Sequence, residues 1–206
     1  MNKMTDLVSL RKTIEEDYAR KVNSFRLLPI TGKDILVGDS IIAFMLMKKY
    51  GFESWINMGI AGDTTTGVME RLDAVIRQKP KKVIVSVGSN DLVLTNHSLE
   101  EIAYHLRDIM IILKSHDIDV YYLLVTPICS SCEHANHLYI ANRTNEMIYQ
   151  LNQIIKHTLL NTDIIDTYTP LTNTHNELDS RYSKDGIHLN DLGYQIFTQT
   201  IHDALR

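Results

Sequence analysis

An α/β fold is predicted for this chain, a three-layer α/β/α sandwich around a five-stranded parallel sheet, and three observations predict it. Five short, mostly β-branched or aliphatic runs are spaced along the chain, helical patterns separate them, and the connections are short. A parallel pair cannot be closed by a hairpin, so right-handed helical crossovers must cover both faces of such a sheet.

The runs at 34–37, 55–58, 82–87, 120–125 and 163–166 each end near Gly, Pro, Asp or Thr and read as the strands. Helical patterns at 41–50, 65–78, 99–115, 139–160 and 191–205 read as the crossovers and the last helix. Ser98 stands where an N-cap belongs, with Glu101 three residues on as in a capping box, and Asn190 can cap the final helix. Loops 127–137 and 167–184 are long for a compact domain, and such loops often line sites.

The first thirty residues differ from the rest. Leu7, Leu10, Ile14, Tyr18, Val22 and Phe25 recur at helical spacing among charges until Pro29 and Gly32 break the pattern. We read 1–30 as an amphipathic helical extension laid on the domain formed by 31–206. A homodimer contact is the alternative use of its apolar stripe.

Composition limits what the protein does. A chain of 206 residues, 44% apolar, suits one domain with one substantial core. The net charge of −4, with both signs mixed, offers no cationic face for nucleic acid. The start has no apolar signal-like segment, and no run reaches the roughly 20 apolar residues that span a bilayer. A cytoplasmic protein without integral membrane contact is expected. With two cysteines, Cys129 and Cys132, packing rather than a disulfide framework must supply stability.

Every candidate functional residue lies just past a predicted strand. Gly38-Asp39-Ser40 follows the first, Gly59 to Asp63 the second, Gly88-Ser89-Asn90-Asp91 the third, and Asp185-Gly186-Ile187-His188 comes after the fifth. In a parallel sheet these ends share one edge, and an order 2-1-3-4-5 reverses between the strands that present Ser40 and Asn90, where a cleft is expected. Ser40 can act as a nucleophile, with its N–H at the start of the 41–50 helix as an oxyanion donor. Gly62 can bring a backbone N–H close because no Cβ intervenes, and Asn90 can aim its amide at the same oxygen. The Asp185-x-x-His188 spacing lets the carboxylate hold one imidazole nitrogen while the other faces Ser40 as general base. Each segment has a plain alternative: an N-cap, a turn glycine, a loop asparagine, a solvated loop. In combination and in this order they supply what acyl transfer from an ester needs.

The segments ILVGDS, INMGIAGDTT, VSVGSND and YSKDGIHLNDLGY resemble, in order, the motif blocks of the SGNH hydrolases, or GDSL-like esterases, and in particular the branch similar to platelet-activating-factor acetylhydrolase. The resemblance runs from about Asp34 to the C-terminus. It implies the five-stranded, flavodoxin-like sheet, Ser40 as nucleophile, His188 as base, Asp185 as its orienter, and Ser40, Gly62 and Asn90 as oxyanion donors.

The expected substrate is a small acyl ester of a carbohydrate or lipid, with a short, acetyl-like acyl group, and no cofactor or metal is required. Lysophospholipase or thioesterase activity on longer chains is the enzymatic alternative, and a non-catalytic carbohydrate-binding protein is the alternative outside enzymes.

Cys129, Cys132, His134 and His137 have the residue types of a zinc site, but an ordinary polar loop is the leading reading, with zinc or a reversible disulfide behind it. Asp39, Asp63 and Asp91 read as carboxylates bonding local loop N–H groups. His97, His105, His116, His157, His175 and His202 have no partner arranged by sequence, and Met45 and Met47 are expected in the core.

Overall fold

The computed structural model describes residue 16 and residues 18–206. Leu7, Leu10 and Ile14 therefore lie outside the described residues. Five parallel strands form one sheet in the order β2-β1-β3-β4-β5: β1 (Ile35–Gly38), β2 (Ile56–Gly59), β3 (Lys82–Ser86), β4 (Asp119–Leu123) and β5 (Asp163–Ile165). Each overlaps the run that predicted it, within two residues at either end.

The period of two along β1 divides the core. Ile35 and Val37 face one cluster, with Val83, Val85, Val120 and Tyr122 from the neighbouring strands. Leu36 faces the other, with Ile84, Leu123 and Ile165. Apolar residues on both faces are what a strand covered on both sides requires.

Helices α3 (Thr65–Glu70), α4 (Leu72–Arg77), α6 (Leu99–Lys114) and α8 (Asn145–Thr158) cover the first face through residues such as Val68, Val75, Leu106 and Leu151. The described part of the N-terminal helix, 18–27 (α1), lies on the same side. Its Val22 and Phe25 are buried in that cluster, and Tyr18 Oη donates to the Gly67 carbonyl at 2.8 Å. Helices α2 (Ser40–Ala43) and α9 (Asp191–Ala204) cover the second face through Ile41, Ile42, Tyr194, Phe197 and Ile201. Short helices α5 (Asp91–Leu94) and α7 (His137–Ile140) complete the crossovers. Among the described residues no helix is long and apolar enough to cross a membrane.

Three predicted helices need correction. The 41–50 pattern yields only α2, followed by turns, although Met45 is buried as expected. The 65–78 pattern breaks at Arg71, whose backbone leaves the helical region (φ −120°, ψ 14°) where its side chain turns into the core. The 139–160 pattern divides into α7 and α8, with Thr144 starting the second helix by accepting from the Met147 N–H. Periodicity carries the burial pattern across each break but cannot register where the backbone turns. The expected caps occur: Ser98 and Glu101 form a full capping box on α6, and Asn190 accepts from the Gly193 N–H on α9.

Loop 127–137 also corrects its leading reading. Cys129 and Cys132 are joined as a disulfide, with their Cα atoms 5.6 Å apart. Sulfurs bonded to each other are not thiolate ligands, so the four-residue zinc set is not assembled in this structure. The loop is stitched to the segment that carries Asp185: the Cys129 N–H donates to the Gly186 carbonyl and the Asn136 N–H to the Asp185 carbonyl, each at 2.7 Å.

Candidate active site

Strand register determines which residues can meet. Gly38 pairs level with Gly59 on one side and with Ser86 on the other, so β1, β2 and β3 end together and release their following loops at one edge. Ser40, Gly62 and Asn90 all lie in the segments that start there.

Asp39, rather than Ser40, caps α2. Its Oδ1 accepts from the Ile41 N–H at 3.0 Å, leaving the Ser40 hydroxyl free of capping duty. Ser40 is 8% exposed, and its Oγ lies 3.0 Å from His188 Nε2. His188 Nδ1 lies 2.7 Å from Asp185 Oδ2. Because a carboxylate only accepts, Nδ1 carries the proton in this arrangement, and Nε2 is left to accept from Ser40 Oγ–H.

The 183–188 turn builds that geometry locally. Asp185 Oδ1 accepts from the His188 N–H at 2.8 Å and the Ile187 N–H at 3.2 Å, so the backbone that carries the imidazole is tied to the carboxylate that orients it. Gly186 has φ 96°, a conformation L side chains rarely adopt, and its N–H donates to Ser183 Oγ at 2.8 Å. Burial pushes the Asp185 carboxyl upward, but the hydrogen bonds from the His188 ring and N–H groups outweigh it and hold the group below the usual carboxylate range. Phe44 and Tyr139 approach the His188 ring edge-on, with centroids 5.1 and 5.5 Å away, and Phe44 remains 49% exposed beside it.

Asn90 is held from two sides. Its Nδ2 donates to the Asp63 carbonyl at 2.9 Å, and its Oδ1 accepts from Arg143 Nη2 at 2.6 Å. Arg143 Nε also donates to the Ser89 carbonyl at 3.1 Å, and Nη1 to that of Tyr139. One amide hydrogen of Asn90 is thus spent on the Gly62-Asp63 loop, which leaves the second for a ligand. Burial lowers the Arg143 pKa to about 10, partly offset by attraction to Asp39, so the guanidinium is charged at neutral pH behind the Asn90 amide. Gly62 adopts φ 82°, which explains glycine there, and it meets the rest of the site through this Asp63 to Asn90 contact.

Asp39 and Asp63 bond local backbone as expected, whereas Asp91 does not: its carboxylate crosses to Thr65, 26 positions away at the start of α3. Asp39 accepts from Ile41, Asp63 Oδ1 from the Thr64 N–H at 2.9 Å, and Asp91 from the Thr65 N–H at 3.0 Å. Asp63 does more, forming a fully buried ion pair with Arg71 at 2.6 Å. Arg71 also donates to the carbonyls of Met58 at 2.8 Å and Gly38 at 3.2 Å, so one guanidinium fastens the ends of β1 and β2.

Sequence reasoning missed Arg71 and Arg143. Arg71 left a trace: it sits on the stripe formed by Val68, Leu72 and Val75, where a charge must find a buried partner. Arg143 left none, since it lies inside an apparently continuous helical pattern. His97 and His105, for which the sequence arranges no partner, are in mutual ring contact with centroids 4.6 Å apart.

Burial raises Asp39 to about 7, against the lowering effect of the Ile41 N–H. A carboxyl whose folded pKa lies above its unfolded value binds extra protons in the folded state, so this group's contribution to stability declines as pH rises from about 4 to 7. Asp39→Asn keeps the capping oxygen and removes the titration. We expect the variant, relative to wild type, to be more stable at pH 8 than at pH 5 in paired urea unfolding, and an identical difference at both pH values contradicts the assignment.

A parallel doubly wound sheet presents a serine, a histidine and an aspartate, hydrogen-bonded in series, beside its carboxyl edge, an arrangement that several classes of hydrolase share; the family is what makes this one a carboxylic-ester hydrolase. Residues 36–196 match the model of the GDSL-like Lipase/Acylhydrolase family, and the chain belongs to that family.

Among curated relatives, the chain is 26% identical over 182 residues to the human platelet-activating factor acetylhydrolase IB subunit alpha2, covering 83% of this chain and 75% of that protein. It is 23% identical over 175 residues to N-acylneuraminate cytidylyltransferase of Escherichia coli O18:K1:H7, again over 83% of this chain but only 40% of the larger protein. The chain therefore spans about two fifths of the cytidylyltransferase's length. Among solved structures, a Streptococcus pneumonia protein described as a platelet activating factor superposes with TM-score 0.87 at 21% identity over the full length of both chains. An acetyl xylan esterase superposes with TM-score 0.67 at 21% identity, covering 84% of this chain and all of that one. At these identities the structural likeness concerns the fold.

Proposed function

We propose that this hydrolase cleaves short-acyl esters, O-acetyl esters foremost, through Ser40, His188 and Asp185. The observation that carries the reading is the unbroken hydrogen-bond chain from Ser40 Oγ through His188 to Asp185. Ser40 Oγ attacks the ester carbonyl carbon while His188 Nε2 takes its proton. The tetrahedral oxyanion is met by the N–H groups of Ser40 and Gly62 and by the free amide hydrogen of Asn90. As the intermediate collapses, the imidazolium protonates the departing alcohol. Water, deprotonated by the same imidazole, then releases the carboxylic acid and restores the serine.

Asp185 keeps the proton on Nδ1 and stabilises the imidazolium. Arg143 prevents the Asn90 amide from rotating and, as a cation behind it, strengthens its donor. The short-acyl preference draws support from the names of two similar proteins, an acetylhydrolase and an acetyl xylan esterase. The exposed Phe44 ring beside His188 suits a flat apolar contact with a sugar face or a short lipid segment.

The test is hydrolysis of p-nitrophenyl acetate, butyrate and octanoate at neutral pH. The rate is expected to fall from acetate to octanoate, and Asn90→Ala to lose on the order of 10² to 10³ in turnover on acetate. A rate that rises with acyl length replaces the acetyl reading with lysophospholipase or thioesterase activity. Full turnover in a folded Asn90→Ala removes that amide from the mechanism.

A further inference from the structure

Asp91, His97 and His105 come together from three places: the end of the β3 loop, the residue before the N-cap of α6, and the second turn of α6. Each offers one ligand atom, and these atoms lie within 4.8 Å of one another. We propose that these residues form a binding site for one divalent transition-metal ion of the zinc class, separate from Ser40 and structural in effect.

The donor set is the first argument. Two neutral imidazoles and one carboxylate are a common ligand combination for Zn²⁺, with water or a further oxygen completing the shell. Bonds of about 2.1 Å in a tetrahedron hold ligand atoms about 3.4 Å apart. The three ligand atoms, within 4.8 Å of one another, would have to draw closer by up to about 1.4 Å on binding.

The second argument is an unsatisfied atom. His97 Nδ1 is buried and has no hydrogen-bond partner, although a buried ring nitrogen without one is costly. A metal ion would give this bare imidazole nitrogen the partner it lacks. The third is charge. The Asp91 carboxylate is fully buried and accepts from the Thr65 N–H and from Thr65 Oγ1 at 2.5 Å, both neutral donors. A cation completes such a site electrostatically.

Thr65 Oγ1 also lies 3.1 Å from His105 Nδ1, so the hydroxyl stands between carboxylate and imidazole and fixes the His105 ring. That is the outer support that metal-binding histidines usually have. A bound ion would tie the α6 N-terminus to the loop that carries Asn90 and, through Thr65, to the start of α3.

The experiment uses the full chain, stripped with EDTA and desalted, then titrated with Co²⁺ as a spectroscopic probe and with Zn²⁺ in competition. One Co²⁺ per chain is expected, giving visible d–d absorption that Zn²⁺ abolishes. Zn²⁺ at about 100 times its Kd is expected to raise Tm by about 5 °C or more. His97→Gln and His105→Gln should each weaken binding about tenfold or more, while Cys129→Ser/Cys132→Ser retains it.

A wild-type protein that gives no d–d spectrum overturns the proposal without reference to any variant. So does uptake that persists in His97→Gln/His105→Gln, or that disappears only in the cysteine variant, which would move the ion to loop 127–137. These readouts do not depend on ester hydrolysis, so the site and the proposed catalytic mechanism stand or fall separately.

Discussion

Ser40→Ala is expected to reduce kcat for p-nitrophenyl acetate by a factor on the order of 10⁶, His188→Ala by a similar factor, and the double variant by no more than either alone. The non-additivity is the informative part. If Ser40 supplies the attacking oxygen and His188 removes its proton, neither contributes without the other, and the second substitution has nothing left to remove. Two residues contributing independently, for instance by binding the substrate, would instead multiply their losses. The measurement is single-turnover and steady-state kinetics on all three variants, with circular dichroism as the check of folding. Full activity in folded Ser40→Ala would end the serine mechanism outright. A double variant far worse than either single would replace the proton-transfer link at 3.0 Å with two separate roles.

The largest effect on stability is expected from Arg71→Met. Its guanidinium is fully buried and bonded to Asp63, Met58 and Gly38, with the Phe25 ring 5.7 Å away. Methionine approximates the volume and removes the charge, leaving the Asp63 carboxylate buried without a cation and two strand-end carbonyls without this donor. Breaking a buried pair from one side costs about 3–5 kcal/mol, which for a chain of this size lowers Tm by about 10 °C. Asp63→Asn in the Arg71→Met background should restore part of that loss, because the stranded charge is then gone. Urea unfolding of the two single variants and the double gives the coupling directly. A loss below about 1 kcal/mol in Arg71→Met would mean that the pair does not hold the ends of β1 and β2 together.

Much of the architecture was legible locally. Each strand ends within two residues of its apolar run, because alternating and continuous apolar patterns report burial on one or both faces over a few residues. The caps Ser98, Glu101 and Asn190 behave as their spacing suggests, since a cap is made within one turn of its own helix. The Asp185 to His188 contact is of the same kind: a three-residue turn in which the carboxylate also receives the backbone of the histidine it orients.

What only the tertiary structure decided involves residues distant in sequence or a backbone break hidden by good periodicity. Thr65 to Gln78 reads as one helix, yet it stops at Arg71 because a buried cation and a break in the helix satisfy Asp63 better than an unbroken stripe would. Arg143 reaches Asn90 across 53 positions, and His105 reaches Thr65 across 40, through crossovers whose lengths specify only that the elements return to the sheet. The Cys129 to Cys132 bridge was the least favoured reading of the sequence, behind a polar loop and a zinc site, because spacing does not report the backbone path that brings the two Cα atoms to 5.6 Å. By itself the sequence determined the five strands, the fold class, the loops after β1, β2 and β3 that carry Ser40, Gly62 and Asn90, and the local turn that joins Asp185 to His188 ahead of α9, for these are set by short-range pattern. The sheet's closure decided which buried charges and rings meet, because such contacts follow from three-dimensional packing and leave no period to read.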